Sequence, residues 1–177
     1  MEETVVKDIK EEILEKQIEL NKEIDNATDK ASVNEDISNG FRYLLFELDS
    51  EQYGVNIEYV MEIIGLQDIT QVPKTPKFIK GLINLRGKII PLIDGRLKLN
   101  KPSKEYNDRT CIIVLEVNEI IVGLVVDSIS DVITLRESDM EHSPKIGKIK
   151  ANKYIKEIAK VGKEVKLLID CEKFINE

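Results

Sequence analysis

Two stretches of the sequence, FIKGLINLRGKIIPLID (residues 78–94) and YIKEIAKVGKEVKLLID (residues 154–170), align without a gap at an offset of 76 residues. A second pair, GVNIEYVMEII (residues 54–64) and GLVVDSISDVI (residues 123–133), aligns at an offset of 69 residues, and the two pairs occur in the same order. Such self-similarity is the sequence signature of a repeated structural unit. The chain therefore contains a duplicated module, and each copy should form the same small fold.

The segments in and around both copies predict strands. Short runs such as TCIIVLEV (residues 110–117) are rich in β-branched residues and are separated by turn residues. Because closing a sheet on itself removes its exposed edges, we expect two small β-barrels side by side. Two stretches depart from this pattern, since the apolar spacing in IEYVMEII (residues 57–64) and SISDVI (residues 128–133) predicts one to two turns of helix or a bend.

The first forty residues differ from the rest in charge and composition. They carry 5 Lys and 12 Asp or Glu, whereas residues 41–177 carry 21 basic and 21 acidic side chains. The stretch NATDKASVNEDISNG (residues 26–40) is polar and rich in small residues, as linkers are. We therefore divide the chain into an acidic amino-terminal extension, residues 1–38, and a β-rich domain, residues 39–177.

Within the extension, a stripe of apolar residues at roughly helical spacing predicts an amphipathic helix. Its members are Val6, Ile9, Ile13, Leu20 and Ile24. A helix this short is marginally stable alone, so partial disorder is favoured over a helix that docks on the domain or on a partner. The negative charge of the extension argues against binding to nucleic acid or to anionic membranes.

Residue types suited to enzyme or metal chemistry are isolated in this sequence. NLRG (residues 84–87) offers one glycine ahead of a strand, whereas phosphate loops need several ahead of a helix, so a structural corner is favoured. Cys111 and Cys171 stand far apart, and Cys111 lies in an apolar run that predicts a small buried thiol. The one histidine, His142, is predicted to lie solvated in a loop. We expect no catalytic site, no cofactor and no metal.

Binding is the class of function that remains. Glu58 and Glu62 lie four residues apart, which suits a solvated or recognition surface better than a metal site. A small β-barrel that binds nucleic acid is the alternative, but it needs a basic face with exposed aromatics, and residues 41–177 are neutral and lack Trp. The acidic amino terminus resembles no secretory signal, and no apolar run reaches the ~20 residues of a membrane helix. A cytoplasmic protein is expected.

The stretch YGVNIEYVMEIIGLQDITQVPKTPKFIKGLINLRGKIIPLID (residues 53–94), followed by IIVGLVVDSISDVITL (residues 120–135), resembles the CheW family of bacterial chemotaxis adaptors. The resemblance extends from about Phe41 to Phe174 and implies an all-β fold of two five-stranded SH3-like β-barrels around a shared core. It also implies a non-enzymatic adaptor that couples the cytoplasmic tips of methyl-accepting chemoreceptors to the regulatory domain of the histidine kinase CheA. Such an adaptor is cytoplasmic and is recruited to membrane-associated receptor arrays.

The resemblance implies two sets of binding residues. The receptor-binding set is Val60, Glu62, Gly81, Arg86 and Gly123, and the kinase-binding set is Glu51, Lys80 and Ile89. In the family, the residues matching Val60, Glu62 and Arg86 help to form a groove between the barrels. The glycines matching Gly81 and Gly123 are sensitive positions, where a side chain would intrude on close backbone contacts. Each residue also has a structural interpretation, such as a core position for Val60 or a local ion pair for Glu62 and Arg86.

One position departs from the family pattern. The family commonly reads IDLR where this chain reads IDGR (residues 93–96). Gly95 removes an apolar side chain, so the local packing at that corner is expected to differ.

Overall fold

Strands are the main element in the part of the chain that the computed structural model describes, which is residues 15–26, 40–142 and 152–177. The strands are β1 (Phe41–Leu48), β2 (Glu51–Asn56), β3 (Val60–Gly65), β4 (Ile79–Leu85), β5 (Lys88–Asp94), β6 (Cys111–Val117), β7 (Ile120–Val126), β8 (Ser128–Leu135), β9 (Met140–His142), β10 (Ile155–Val161) and β11 (Glu164–Ile169). Residues 15–26 form helix α1, and two short helices, α2 (Gly95–Lys98) and α3 (Cys171–Asn176), follow β5 and β11.

The strands form two sheets, which confirms the predicted pair of SH3-like β-units. The six-stranded sheet has the order β8-β1-β2-β11-β10-β9, and the five-stranded sheet has the order β3-β6-β7-β5-β4. The first has one strand more than the five expected, because the three-residue β9 pairs with β10. His142 ends this strand and pairs with Glu157, so its backbone does not lie in the loop predicted from the sequence.

The two copies of the duplicated module have the same connections, which confirms the internal alignment. In the five-stranded sheet β5 pairs in parallel with β7, with Leu92 opposite Gly123. In the six-stranded sheet β11 pairs in parallel with β2, with Leu168 opposite Gly54. These two Leu–Gly pairs are equivalent at the offsets of 76 and 69 residues found in the sequence.

The corner after each copy is also repeated. The Asp94 N–H donates to the Phe78 carbonyl at 2.7 Å, and the Asp170 N–H donates to the Tyr154 carbonyl at 2.8 Å. Both aspartates then cap a helix, because each carboxylate accepts a hydrogen bond from the backbone N–H three residues later. The end of IIPLID (residues 89–94) is therefore a helix amino terminus, and the same arrangement occurs at Asp170.

Side chains from both copies meet at Lys98. This buried lysine places its Nζ 4.1 Å from the ring centre of Phe78 and 4.9 Å from that of Tyr154, the counterpart of Phe78. The Phe174 ring centre lies 5.8 Å away. The electron-rich ring faces attract the ammonium group, so this cation–π cluster ties the two copies together.

The two stretches predicted as one to two turns of helix or a bend form mostly strand. Only Ile57–Tyr59 makes a single 3₁₀ turn, after which residues 60–65 are β3, and residues 128–133 belong to β8. The reason is a β-bulge in each ladder, between Val60 and Glu62 in β3 and between Ile129 and Asp131 in β8. A bulge adds one residue to the alternation, so apolar side chains recur at a spacing that resembles a helix.

The largest group of buried apolar side chains contains residues of both sheets, as a shared core requires. It includes Leu44 and Phe46 of β1 together with Ile113 and Leu115 of β6, all 1% exposed or less. Two smaller clusters each belong to one sheet. Burial of each large apolar side chain stabilises the fold by about 1.5–3 kcal/mol, so the two sheets depend on one another.

Helix α1 packs into the shared core. Leu20 and Ile24 are 4% and 1% exposed and belong to the cluster that holds both sheets. Of the two alternatives for the extension, residues 15–26 therefore take the docked helix, and the favoured disorder is wrong for them. Val6, Ile9 and Ile13 lie outside the described residues, and the domain division at residue 38 stays a prediction.

The family departure at Gly95 has a packing explanation. Gly95 opens α2, and a Cβ added there would lie 2.9 Å from the Val125 carbonyl oxygen and 3.0 Å from a Leu48 methyl carbon. Real Cβ atoms are essentially never closer than 3.0 Å to such atoms. The Val125 carbonyl and the Leu48 side chain occupy the space that a side chain at position 95 would need, so this corner fits glycine.

A candidate partner-binding surface

Arg86 lies in the tight turn between β4 and β5 and reaches across to Glu62 on β3. Arg86 and Gly87 both have positive φ, 49° and 84°, as in the two-residue turns that suit β-hairpins. Asn84 fixes the turn because its Oδ1 accepts a hydrogen bond from the Gly87 N–H at 2.8 Å. Arg86 Nη1 then donates to Glu62 Oε2 at 3.3 Å, and Nη2 contacts Oε1. The ion pair spans the two edge strands of the five-stranded sheet.

This ion pair is accessible to a partner. The Arg86 side chain is 67% exposed and the Glu62 side chain 24% exposed. An exposed pair of this kind contributes under about 1 kcal/mol to stability, so its charges are free to serve recognition. Met61, the extra residue at the β3 bulge, is 39% exposed beside Glu62 and was missed by sequence reasoning. The exposure of Met61 results from the bulge, and the sequence pattern does not reveal that bulge.

Val60, expected beside Glu62 in the receptor-binding set, is buried. It is 2% exposed and packs in the shared core, opposite Leu115 of β6. Val60 lies two residues before the accessible Glu62 and packs on the buried side of β3. The structure brings Val60 and Glu62 together on one strand but on different sides of its surface.

The two glycines of the receptor-binding set are also buried. Gly81 has φ +145°, and a Cβ there would lie 2.3 Å from the Thr70 carbonyl oxygen. A Cβ at Gly123 would lie 2.4 Å from a Leu92 methyl carbon. Both positions need glycine for internal packing, whatever binds outside. Of the five residues in the set, Glu62 and Arg86 form the accessible part.

The kinase-binding set is divided between the two sheets. Lys80 and Ile89 lie on the neighbouring strands β4 and β5, whereas Glu51 begins β2 in the six-stranded sheet. Ile89 is 63% exposed, the most exposed of the large apolar side chains in the described part of the chain. Lys80 Nζ lies 3.8 Å from Asp94 Oδ2, the carboxylate that caps α2. Lys80 therefore has a structural contact as well as a surface position.

Glu51 is at the centre of a polar cluster on the six-stranded sheet. Its Oε2 accepts hydrogen bonds from the Tyr53 hydroxyl at 2.7 Å and from Lys101 Nζ at 2.6 Å. Burial of the Tyr53 ring raises the pKa of its hydroxyl, and the Glu51 carboxylate raises it further. The phenol therefore stays protonated and keeps donating to Glu51.

Arg96, in the short helix α2, pairs with Asp127 at the end of β7. Arg96 Nη2 lies 2.6 Å and Nε 2.8 Å from the Asp127 carboxylate, and Nη1 lies 3.3 Å from Asp49 Oδ1. Asp127 also accepts the Asp49 N–H at 2.9 Å. This cluster joins α2 to the β1–β2 turn and the β7–β8 corner, so it links the two sheets. Burial opposes ionisation of Asp127, but the hydrogen bonds outweigh it and its pKa is lowered.

The described residues give little support to chemical catalysis. Cys111 and Cys171 are buried, as predicted for Cys111, and burial raises the pKa of the Cys171 thiol to about 12. Neither thiol is therefore a nucleophile at neutral pH. Within residues 15–26, 40–142 and 152–177, no group of three or more His, Cys, Asp or Glu side chains is placed to hold a metal ion. In that same part of the chain, no helix is both long and apolar enough to span a bilayer.

The fold and this surface together define a small protein-binding module of two SH3-like sheets that share one core. Comparison with known proteins then identifies the protein family. The sequence model of the CheW-like domain matches residues 42–177, and the chain belongs to that family.

Two relatives and one solved structure show how close the similarity is. The chain is 37% identical over 137 residues to the chemotaxis protein CheW of Klebsiella aerogenes, which covers 77% of this chain and 82% of that protein. It is 33% identical over 142 residues to the chemotaxis protein CheW of Bacillus subtilis, covering 80% and 91%. The crystal structure of the scaffolding protein TtCheW from Thermoanaerobacter tengcongensis matches with a TM-score of 0.72 at 32% identity, covering 78% and 94%.

Proposed function

We propose that this chain couples the cytoplasmic tips of methyl-accepting chemoreceptors to the regulatory domain of the histidine kinase CheA, without catalysing a reaction itself. By its family the chain is a scaffold of chemotaxis signalling. We further propose that it works in the cytoplasm, at receptor arrays on the membrane.

The exposed Glu62–Arg86 pair is the observation that carries the receptor half of this proposal. It presents two opposite charges and the apolar Met61 next to the shared core, a combination suited to a helical receptor tip with its own polar and apolar faces. Val60, Gly81 and Gly123 are buried, and we propose that they act by fixing the packing of the strands of this sheet.

The exposed side chain of Ile89 supports the kinase half. Ile89 lies on β5 beside the half-buried Pro91 and opposite Asn84, so an apolar contact is available to a second partner. Lys80 on β4 adds a positive charge nearby, and Glu51 on the other sheet provides a separate acidic contact. We propose that two partners are held at once, the receptor at the Glu62–Arg86 pair and the kinase at Ile89, Lys80 and Glu51.

A nucleic-acid-binding role is not favoured. Residues 41–177 carry equal numbers of basic and acidic side chains and no Trp, whereas such barrels use a basic face with exposed aromatic rings.

The direct test is whether the chain bridges its two partners. A soluble receptor-tip fragment, the CheA regulatory domain and this protein would be mixed and run on a size-exclusion column. We expect one complex containing all three, and no joint elution of receptor fragment and kinase domain when this protein is left out. Elution of all three as separate species would contradict the proposal, as would tight, salt-sensitive retention of single-stranded RNA or DNA without either protein partner.

A further inference from the structure

Helix α1 lies across the boundary between the two sheets. On the five-stranded sheet, Gln17 Nε2 lies 3.1 Å from Cys111 Sγ, and Asn21 contacts β3. On the six-stranded sheet, Glu23 Oε2 lies 3.4 Å from Arg42 Nη2. Between these polar contacts Leu20 and Ile24 enter the shared core. The helix therefore occupies an apolar groove formed by both halves of the domain.

Asn21 binds the open edge of β3 as a neighbouring strand would. Its Oδ1 accepts the Ile63 N–H at 2.8 Å, and its Nδ2 donates to the Ile63 carbonyl at 3.0 Å. β3 is at the end of its sheet and has β6 as its one neighbouring strand there. A single carboxamide thus satisfies both backbone groups of Ile63 and covers an edge that would otherwise be free to pair.

The covered edge adjoins the proposed receptor surface. Ile63 follows Glu62 directly in the chain, and Val60 belongs to the same buried cluster as Leu20 and Ile24. A receptor helix that uses apolar side chains of this groove must displace Leu20 and Ile24. Residues 15–26 also lie outside the 42–177 range matched by the family, so α1 is an addition to the domain and not a part of its repeated β-framework.

We propose that α1 is an intramolecular ligand that competes with the receptor helix for the groove beside Glu62, so that it lowers receptor affinity until it is displaced. The inference rests on the proposed receptor-coupling function and adds its regulation. An amphipathic helix in cis and an amphipathic helix in trans would use the same apolar groove, as in other helix-in-groove contacts.

The first test uses the protein without mutation. Hydrogen exchange of the Ile63 amide reports the Asn21 contact, because that N–H is bonded to the Asn21 side chain. At a saturating concentration of a soluble receptor-tip fragment, we expect the amides of α1 and of Ile63 to exchange at least tenfold faster than in the free protein. Unchanged or increased protection of α1 in the complex would overturn the inference.

The second test uses a matched pair of substitutions on the helix. Ile24→Asp places a carboxylate in the core and should release α1, whereas Ile18→Asp makes the same chemical change at a side chain that is 47% exposed. We expect Ile24→Asp to bind the receptor fragment at least fivefold more tightly than wild type, and Ile18→Asp to bind as wild type does. Faster Ile63 exchange in Ile24→Asp without a gain in receptor affinity would overturn the inference.

A milder variant covers the case in which Ile24→Asp does not fold. Asn21→Ala removes both hydrogen bonds to Ile63 and leaves the apolar contacts, so it should move Ile63 exchange and receptor affinity in the same direction by a smaller factor. No change in either would overturn the inference. If wild type itself fails to bind the receptor fragment, the proposed function fails and the inference with it; if wild type binds and no variant binds more tightly, the inference alone fails.

Discussion

Gly123 lies directly opposite Leu92 in the parallel pairing of β7 with β5, so close that a Cβ at position 123 would come within 2.4 Å of a Leu92 methyl carbon. Gly54 stands in the same relation to Leu168 in the other sheet, at 2.8 Å. Each sheet therefore has a leucine side chain packed against the backbone of a glycine. The glycine is required by packing inside the domain, before any partner is considered.

The first prediction is that Gly123→Ala destabilises the protein. The added methyl group must push Leu92 aside in a fully buried site, and such overpacking typically costs about 1–3 kcal/mol. Urea unfolding of the purified variant measures the loss. Any weakening of receptor binding should then follow from the loss of folded protein.

Two controls separate packing from contact. Gly65→Ala, where no heavy atom lies within 4 Å of the new Cβ, should unfold as wild type does. Shortening the opposing side chain in Gly123→Ala/Leu92→Val should recover part of the lost stability, because the two sites share one contact. If Gly123→Ala keeps wild-type stability yet loses receptor binding, Gly123 touches the receptor and the packing interpretation is wrong.

The second prediction concerns the Glu62–Arg86 pair. Arg86→Glu should weaken binding of a receptor-tip fragment at least tenfold while the melting temperature stays near that of wild type, since the pair is exposed and contributes under about 1 kcal/mol to stability. Glu62→Lys should do the same. Isothermal titration against the receptor fragment and, separately, the CheA regulatory domain measures both effects.

The double variant Glu62→Arg/Arg86→Glu is the informative control. It restores an ion pair of reversed direction, so it should regain stability but not receptor binding if each charge meets its own group on the partner. Full recovery of binding would show that only the bridge between β3 and the turn matters. Normal binding by both single variants would remove these residues from the receptor surface.

Much of this fold was predictable because the pattern of apolar residues shows the duplication. The two copies align without a gap, so that Leu92 matches Leu168 and Asp94 matches Asp170. The two leucines have the same structural role, and so do the two aspartates. Residues 57–64 misled the prediction, because a bulge imitates helical spacing over so short a run.

The site was less predictable for a different reason. The resemblance named Glu62 and Arg86, but sequence alone could not show that Val60, two residues away, faces the core. Nor could it show that α1 docks: its apolar stripe is short and interrupted, and its stability comes from the groove between the sheets and not from the helix itself.

The third prediction tests the kinase surface. Ile89→Lys should weaken binding to the CheA regulatory domain at least tenfold and leave stability unchanged, because this side chain is 63% exposed. Val165→Lys is the matched control: Val165 is the counterpart of Ile89 in the other copy and is 50% exposed. It should bind the kinase domain normally, and an equal loss in both variants would contradict a specific role for Ile89.

Lys80→Glu is expected to behave differently from Ile89→Lys. Lys80 lies 3.8 Å from Asp94, whose buried carboxylate caps α2, so the reversal brings two carboxylates together. We therefore expect Lys80→Glu to lose both kinase binding and stability, and thermal melting beside the titration separates the two. A variant with wild-type melting and lost kinase binding would show that Lys80 acts at the surface alone.

The fourth prediction is a pH dependence at the Arg96–Asp127 cluster. The pKa of Asp127 is lowered in the folded protein, because its hydrogen bonds to Arg96 and to the Asp49 N–H outweigh the effect of burial. A lowered carboxyl pKa means that the folded state favours the charged form. The stability from this pairing is therefore fully present above the ordinary carboxyl range near pH 4 and is lost as the pH falls through the lower, folded pKa.

Asp127→Asn should remove that dependence. At pH 7 we expect the variant to be less stable than wild type by about 3 kcal/mol, since it leaves the buried Arg96 without its main partner. The difference should shrink as the pH is lowered below 4, where wild type also loses the charge. Urea unfolding at pH 7, 4 and 3 measures it, with Asp131→Asn on the exposed face of β8 as a control that should stay within about 0.5 kcal/mol of wild type at pH 7. If the gap between wild type and Asp127→Asn is the same at all three pH values, ionisation of Asp127 does not link the sheets, and the cluster holds them by shape and neutral hydrogen bonds alone.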